Sequence, residues 1–171
     1  MAIVWRDLRK SGEPLRAAVF GWMLAESAAY AAVFGTVVGS LTTVLLNGSR
    51  ALSAGGAAAL DLHTQLVVSL GAGIYEELLF RVVLVGALLA LARRLGAGTV
   101  LASVVAVTVS ALIFSAFHYV GALGDTFALG SFTFRAIAGV AFSALYVTRG
   151  FGITAWTHAL YDLGLALLQA S

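Results

Sequence analysis

Leu66-Val67-Val68-Ser69-Leu70-Gly71-Ala72-Gly73-Ile74-Tyr75-Glu76-Glu77-Leu78-Leu79-Phe80-Arg81-Val82-Val83-Leu84-Val85 sets two carboxylates and a guanidinium in the middle of an apolar run. Ionisable groups at membrane depth cost roughly 2.5–3.5 kcal/mol each on insertion scales. A chain that tolerates three of them within six residues uses them, and they are expected to face a protein-lined cavity rather than lipid. The plain alternative is an internal ion pair that only holds helices together.

The rest of the 171-residue chain agrees with a membrane setting. It is 61% hydrophobic and 11% charged, against roughly 25% charged residues in soluble domains. Its mean hydropathy is +0.99. With one proline and several long apolar runs, the sequence predicts an all-α, polytopic transmembrane helical bundle of about five to six membrane segments. All 171 residues are read as one transmembrane domain. The net charge of +2 is too small to imply nucleic acid as a partner, and membrane lipid is the expected surroundings. The absence of cysteine excludes disulfides, thiolate catalysis and S-acylation. Nine of the ten basic residues are Arg, and Ala and Gly are abundant. That bias points to a GC-rich bacterial genome and so to the bacterial cytoplasmic membrane.

Working outward from the acidic pair, the segment from about Leu62 to Ala92 is too long for a ~30 Å hydrocarbon core as one straight helix. Gly71-Ala72-Gly73 is the natural place for a bend or a close contact. Asp61 is its expected N-cap, and Arg93-Arg94 ends it. Upstream, residues 1–16 form a polar N-terminal segment. Ala17 to Leu46 follows as one long tilted span, with Glu26 inside it and Ala28, Ala29, Ala31, Ala32 and Gly35 available for close helix packing. Asn47-Gly48-Ser49-Arg50 breaks that span, and Ala51 onward is a small-residue loop or short interfacial helix. Downstream, spans are expected at about Thr99–His118, Phe132–Val147 and Phe151–Leu168, with 120–130 as a loop or re-entrant turn. This layout puts His118 and His158 at heights differing by roughly 15 Å, a gap that tilt, a broken helix or a re-entrant segment has to close if both serve one site.

Three polar clusters lie in three separate apolar segments: Glu76, Glu77 and Arg81; Phe114 with His118; and His158 with Asp162. Glu77 and Arg81 are i,i+4 and pair on one face, which leaves Glu76, about 100° round the helix, free to face elsewhere. His158 and Asp162 are also i,i+4, and so are Phe114 and His118, whose rings are able to pack together. Glu with His is the inventory of a general base that activates water. A second His beside a polar group can stabilise an oxyanion. Alternatively, Glu76, His118, His158 and Asp162 are the right residue types to hold a divalent metal such as zinc. The usual zinc-helix signature His-Glu-x-x-His and the Gly-x-Ser-x-Gly elbow are both missing.

Taken together, Glu76-Glu77-Leu78-Leu79-Phe80-Arg81, Phe114-Ser115-Ala116-Phe117-His118 and His158-Ala159-Leu160-Tyr161-Asp162 resemble, in order, the Glu-Glu-x-x-x-Arg, Phe-x-x-x-His and His-x-x-x-Asn/Asp motifs of the CAAX-protease and bacteriocin-processing (CPBP, Abi) family of intramembrane endopeptidases. The similar core covers about residues 71–168. The resemblance implies that Glu76 and His118 activate the attacking water, that His158 with Asp162 stabilises the oxyanion, and that Glu77 and Arg81 support the site. It implies a membrane-associated protein or peptide as substrate, cut near a terminus, such as a C-terminal sorting tail or a leader. Metal dependence has been proposed for the family beside a glutamate mechanism. Position 162 holds Asp where prenyl-protease members typically carry Asn. An ionised Asp accepts hydrogen bonds and donates none, so Asp162 is either protonated, an orienting partner for His158, or a metal ligand. The competing reading of the chain is a non-enzymatic membrane immunity or scaffold protein.

Overall fold

The structure, a computed structural model, describes residues 17–46, 61–121 and 124–170. The polar segment 1–16, the turn at 47–50 and the small-residue stretch 51–60 lie outside the described residues. Among the described residues the fold is all-helical: α1 (Ala17–Leu45), α2 (Leu62–Glu77), a π-helical segment (Leu78–Val85), α3 (Gly86–Arg94), α4 (Thr99–Phe117), α5 (Leu129–Arg149) and α6 (Phe151–Ala170). α1, α4 and α5 are each long and apolar enough to cross a membrane. The protein is an integral membrane helical bundle.

α2, the π segment and α3 form one helical path from Leu62 to Arg94. Asp61 caps it: one carboxylate oxygen accepts from the Thr64 N–H at 3.0 Å and the other from the Thr64 hydroxyl at 2.6 Å. These two bonds favour the ionised form and hold the Asp61 carboxyl below its ordinary range. Of the bend or close contact expected at Gly71–Gly73, the close contact is found, at Gly73. The helix stays α-helical through the acidic pair, and the irregularity follows it, as a change of hydrogen-bond register beginning at Leu78. Single widened turns of this kind recur at functional sites. In this one, the Phe80 carbonyl accepts a 2.9 Å hydrogen bond from Ser110 Oγ of α4, so a polar group at membrane depth has its partner on a neighbouring helix.

Gly73 makes this contact with α6. A Cβ there would fall 2.6 Å from the backbone nitrogen of Ala159 and 2.8 Å from its Cβ, so α2 lies almost backbone to backbone on α6. The same use of small residues joins α4 to α5, where Gly139 faces Ala111 and Ser115 Oγ donates to the Phe132 carbonyl at 2.7 Å. Without a hydrophobic force between helices in lipid, such contacts and interhelical hydrogen bonds carry the association.

α1 runs parallel to α6 and antiparallel to α5. Ser27 Oγ reaches the Ile153 carbonyl at 3.3 Å, and Gly35 lies under the Tyr161 ring. Phe34 stacks on Phe142 at 4.2 Å, and Val38 packs with Ala138 and Phe142. Of the small residues expected to pack in α1, Gly35 does so, while Ala28, Ala29 and Ala32 are exposed. Their place is taken by Ser27, Val38 and Thr42, which are buried and spaced for one helix face. The Ser27 and Thr42 hydroxyls are satisfied within the helix by the carbonyls four residues back, both at 2.8 Å.

Candidate active site

Glu77 and Arg81 are among the most buried side chains of the described bundle, 0% and 1% exposed. Arg81 Nε lies 3.0 Å from Glu77 Oε2, one turn apart as their spacing requires. Arg81 Nη2 also donates to the Gly139 carbonyl of α5 at 3.3 Å. Its guanidinium sits 4.5 Å over the Phe114 ring and 5.5 Å from that of Phe142. A planar, weakly hydrated cation suits such a sandwich.

The other Glu77 oxygen, Oε1, accepts a 2.8 Å hydrogen bond from His158 Nδ1. Residues 81 positions apart are thereby joined through one carboxylate. His158 is stacked on Phe142 at 4.6 Å, so its ring plane is fixed by packing and its Nδ1 by Glu77. That leaves Nε2 as its working nitrogen, 3.4 Å from Asp162 Oδ2 and 3.9 Å from Glu76 Oε2.

His118 stands at the C-cap of α4. Its Nδ1 is 2.9 Å from the Phe114 carbonyl. A carbonyl only accepts, so Nδ1 is the protonated nitrogen of this ring, and the neutral imidazole presents the Nε2 lone pair. The Phe114 ring packs edge-on against His118 at 4.9 Å, the contact their spacing predicts. His118 Nε2 points at Glu76 Oε2, 3.8 Å away. Two imidazole nitrogens thus flank one carboxylate oxygen, which is buried and has no hydrogen-bond partner among the described side chains. Separations of 3.8 and 3.9 Å are too long for direct hydrogen bonds.

Every residue singled out in the three motifs, namely Glu76, Glu77, Arg81, His118, His158 and Asp162, therefore falls in one cluster. The height difference between the histidines is closed without a re-entrant helix among the described residues. The close approach of α2 to α6 at Gly73 carries the carboxylates to His158, while the end of α4 brings His118 to the other side of Glu76. Glu26 is not in the cluster and pairs with Arg149 at 2.5 Å. Sequence reading missed Arg135, a cation in the middle of the α5 run that pairs with Asp125. The rule that flagged Glu76 at membrane depth applies to it equally. It also missed Phe142 and the Gly139 carbonyl, for which the sequence carries no signal.

The donor types for a metal are present, and each imidazole has its far nitrogen held by an acceptor, as metal-ligating histidines do. As they stand, however, no three His, Asp or Glu side chains among the described residues are grouped closely enough to hold an ion. The side chains are arranged instead around the free Glu76 oxygen.

An acid–histidine centre inside a helical membrane bundle has the residue types of a hydrolytic site. The family model described as Type II CAAX prenyl endopeptidase Rce1-like matches residues 58–164, which include all three motifs. The chain belongs to this Rce1-like family of CAAX-type peptidases. No curated protein and no solved structure matches it.

Proposed function

We propose that the protein is an intramembrane endopeptidase that hydrolyses a peptide bond near a terminus of a membrane-associated protein or peptide, in the bacterial cytoplasmic membrane, with Glu76 as the base. The observation that carries this reading is the free Glu76 oxygen flanked by His118 Nε2 and His158 Nε2. Water held between Glu76 and His118 gives one proton to the carboxylate, while the His118 lone pair accepts from the other O–H and aims the oxygen. That oxygen attacks the scissile carbonyl carbon. Negative charge then develops on the carbonyl oxygen, and His158, in its protonated form, donates Nε2–H to it. Glu77 and Asp162 flank that imidazolium on its two sides. Glu76 passes its proton to the departing amine, which restores the starting state. Asp162 acts in this scheme by orienting His158, since an ionised carboxylate offers the oxyanion no donor. Glu77 and Arg81 hold the frame.

The test compares the termini of membrane and secreted proteins in cells carrying the native chain, Glu76→Gln or His118→Ala. Loss of a defined set of cleavages in both variants, each still inserted and monodisperse, supports the assignment and identifies the substrate, whether a C-terminal sorting tail or a leader. Retained cleavage in either refutes the assigned base. An unchanged set of termini, with an intact complex recovered by pull-down, favours the immunity or scaffold reading. Treating the purified protein with a chelator separates the two chemistries: processing that survives supports Glu76 acting directly, and loss reversed by zinc assigns Glu76, His118, His158 and Asp162 to a metal.

A further inference from the structure

Beside the acid–histidine cluster lies a second group of polar side chains that the reaction scheme does not use. After His118 the chain turns sharply at Gly121, whose φ of +93° favours glycine. It then folds back so tightly that a Cβ on Gly124 would come within 2.8 Å of the Tyr119 carbonyl carbon. The Asp125 N–H donates to the His118 carbonyl at 2.8 Å. The Asp125 side chain is bound by Arg135 of α5. The Arg135 guanidinium lies over the Tyr119 ring, 5.3 Å from its centre, and the Tyr119 hydroxyl is 2.6 Å from Ser131 Oγ.

These contacts share one effect. His118 is the C-cap of its helix, at the end where four carbonyls lack helical partners. Its own carbonyl is taken up by Asp125, and Asp125 is in turn fastened to the neighbouring helix. We propose that Asp125 and Arg135 are positioning residues for His118: their ion pair buckles the segment after α4 onto α5 and so fixes the backbone from which the His118 ring is aimed at Glu76. The inference rests on the reading of His118 as the residue that orients the attacking water. It adds a specific mechanical link, from a cation on α5 through Asp125 to the His118 carbonyl.

A readout independent of catalysis is available, because the chain has three histidines. Ring-nitrogen NMR of [15N]histidine-labelled protein in detergent micelles, with His118→Ala to assign the signal, reports the tautomer of His118. The native protein is expected to show a single Nδ1-protonated ring. Asp125→Ala and Arg135→Met are each expected to give a tautomer mixture, and to lower kcat by about 10- to 100-fold while KM stays within about threefold, as a ring displaced by roughly 1 Å predicts. Arg135→Lys, which keeps the charge, falls between native and Arg135→Met. The exchange Asp125→Arg with Arg135→Asp rebuilds the pair with its polarity reversed and should restore the single tautomer. An unchanged His118 signal in both single variants overturns the inference, and so does an exchange variant no better than the singles. If the native protein cleaves nothing, the ring signal still decides the positioning role, so the two readings fail separately.

Discussion

Replacing Arg81 with Met separates the frame from the chemistry and needs no substrate. Met roughly preserves volume, so the overpacking and cavity contributions stay small. What is lost is the partner of a fully buried carboxylate. Removing one member of a buried ion pair costs about 3–5 kcal/mol, chiefly because the other charge is left uncompensated. Glu77 keeps its bond to His158 at 2.8 Å, which offsets part of this. The stacking of the guanidinium on Phe114 and Phe142 adds back about 1 kcal/mol. The expected destabilisation is about 3 kcal/mol, more than a hundredfold in the folded-to-unfolded ratio. Glu77→Gln placed on top of Arg81→Met removes the orphaned charge, and the double variant should be more stable than Arg81→Met alone by about 2 kcal/mol. The assay is reversible unfolding in mixed micelles, followed by tryptophan fluorescence. A cost below about 1 kcal/mol for Arg81→Met, or strict additivity of the two substitutions, would refute the reasoning, since either means that the pair is hydrated rather than sealed in the bundle.

Three further outcomes follow from the geometry. Gly73→Ala forces a methyl into the Ala159 backbone and should cost about 1–3 kcal/mol and roughly 10²-fold in activity, whereas Gly71→Ala, which meets nothing within 4 Å, should be neutral or stabilising; melting and processing of both variants check the contrast. Ser110→Ala leaves the Phe80 carbonyl without its 2.9 Å partner and should lower stability by about 1–2 kcal/mol, read in the same unfolding assay. Asp162→Asn should keep activity within about tenfold of native, because an amide both orients His158 and donates to an oxyanion, whereas Asp162→Ala should lose ~10²–10³-fold; equal loss in the two variants, measured as kcat on the identified substrate, removes Asp162 from any orienting or donating role.

The parts of this molecule legible in the sequence are those that depend on spacing along one helix. Glu77 with Arg81, Phe114 with His118, His158 with Asp162 and the Asp61 cap are all contacts within four residues, and helix geometry dictates them. What the sequence did not show depends on other helices. The π segment is one case. A run such as Leu78–Val85 has no composition that marks a register change, and the Phe80 carbonyl finds its partner on α4. The Glu77–His158 bond is another, because nothing local says which of two adjacent carboxylates turns toward a distant imidazole. Gly73 was visible as a candidate contact, but whether a glycine bends a helix or admits a neighbour is decided by the neighbour, here Ala159. In α1 the alanines misled because small residues are compatible with packing and do not require it.

Adjacent glutamates in a membrane would be expected to repel, and the way this pair is divided explains why both are tolerated. Glu77 is enclosed, with one oxygen on Arg81 and the other on His158. Glu76, rotated about 100° round the helix, keeps an oxygen without a hydrogen-bond partner. The electrostatic account of the cluster then has a definite consequence. Glu76, Glu77 and Asp162 set three carboxylates against one guanidinium, and with both imidazoles neutral two negative charges are left over; Asp125 and Arg135 cancel each other. Excess charge at membrane depth is costly, so each carboxylate in this cluster carries a penalty that the Arg81 guanidinium offsets only in part. An Asn at position 162 would remove one negative charge, so the Asp at this position changes the charge balance of the site as well as one of its hydrogen bonds.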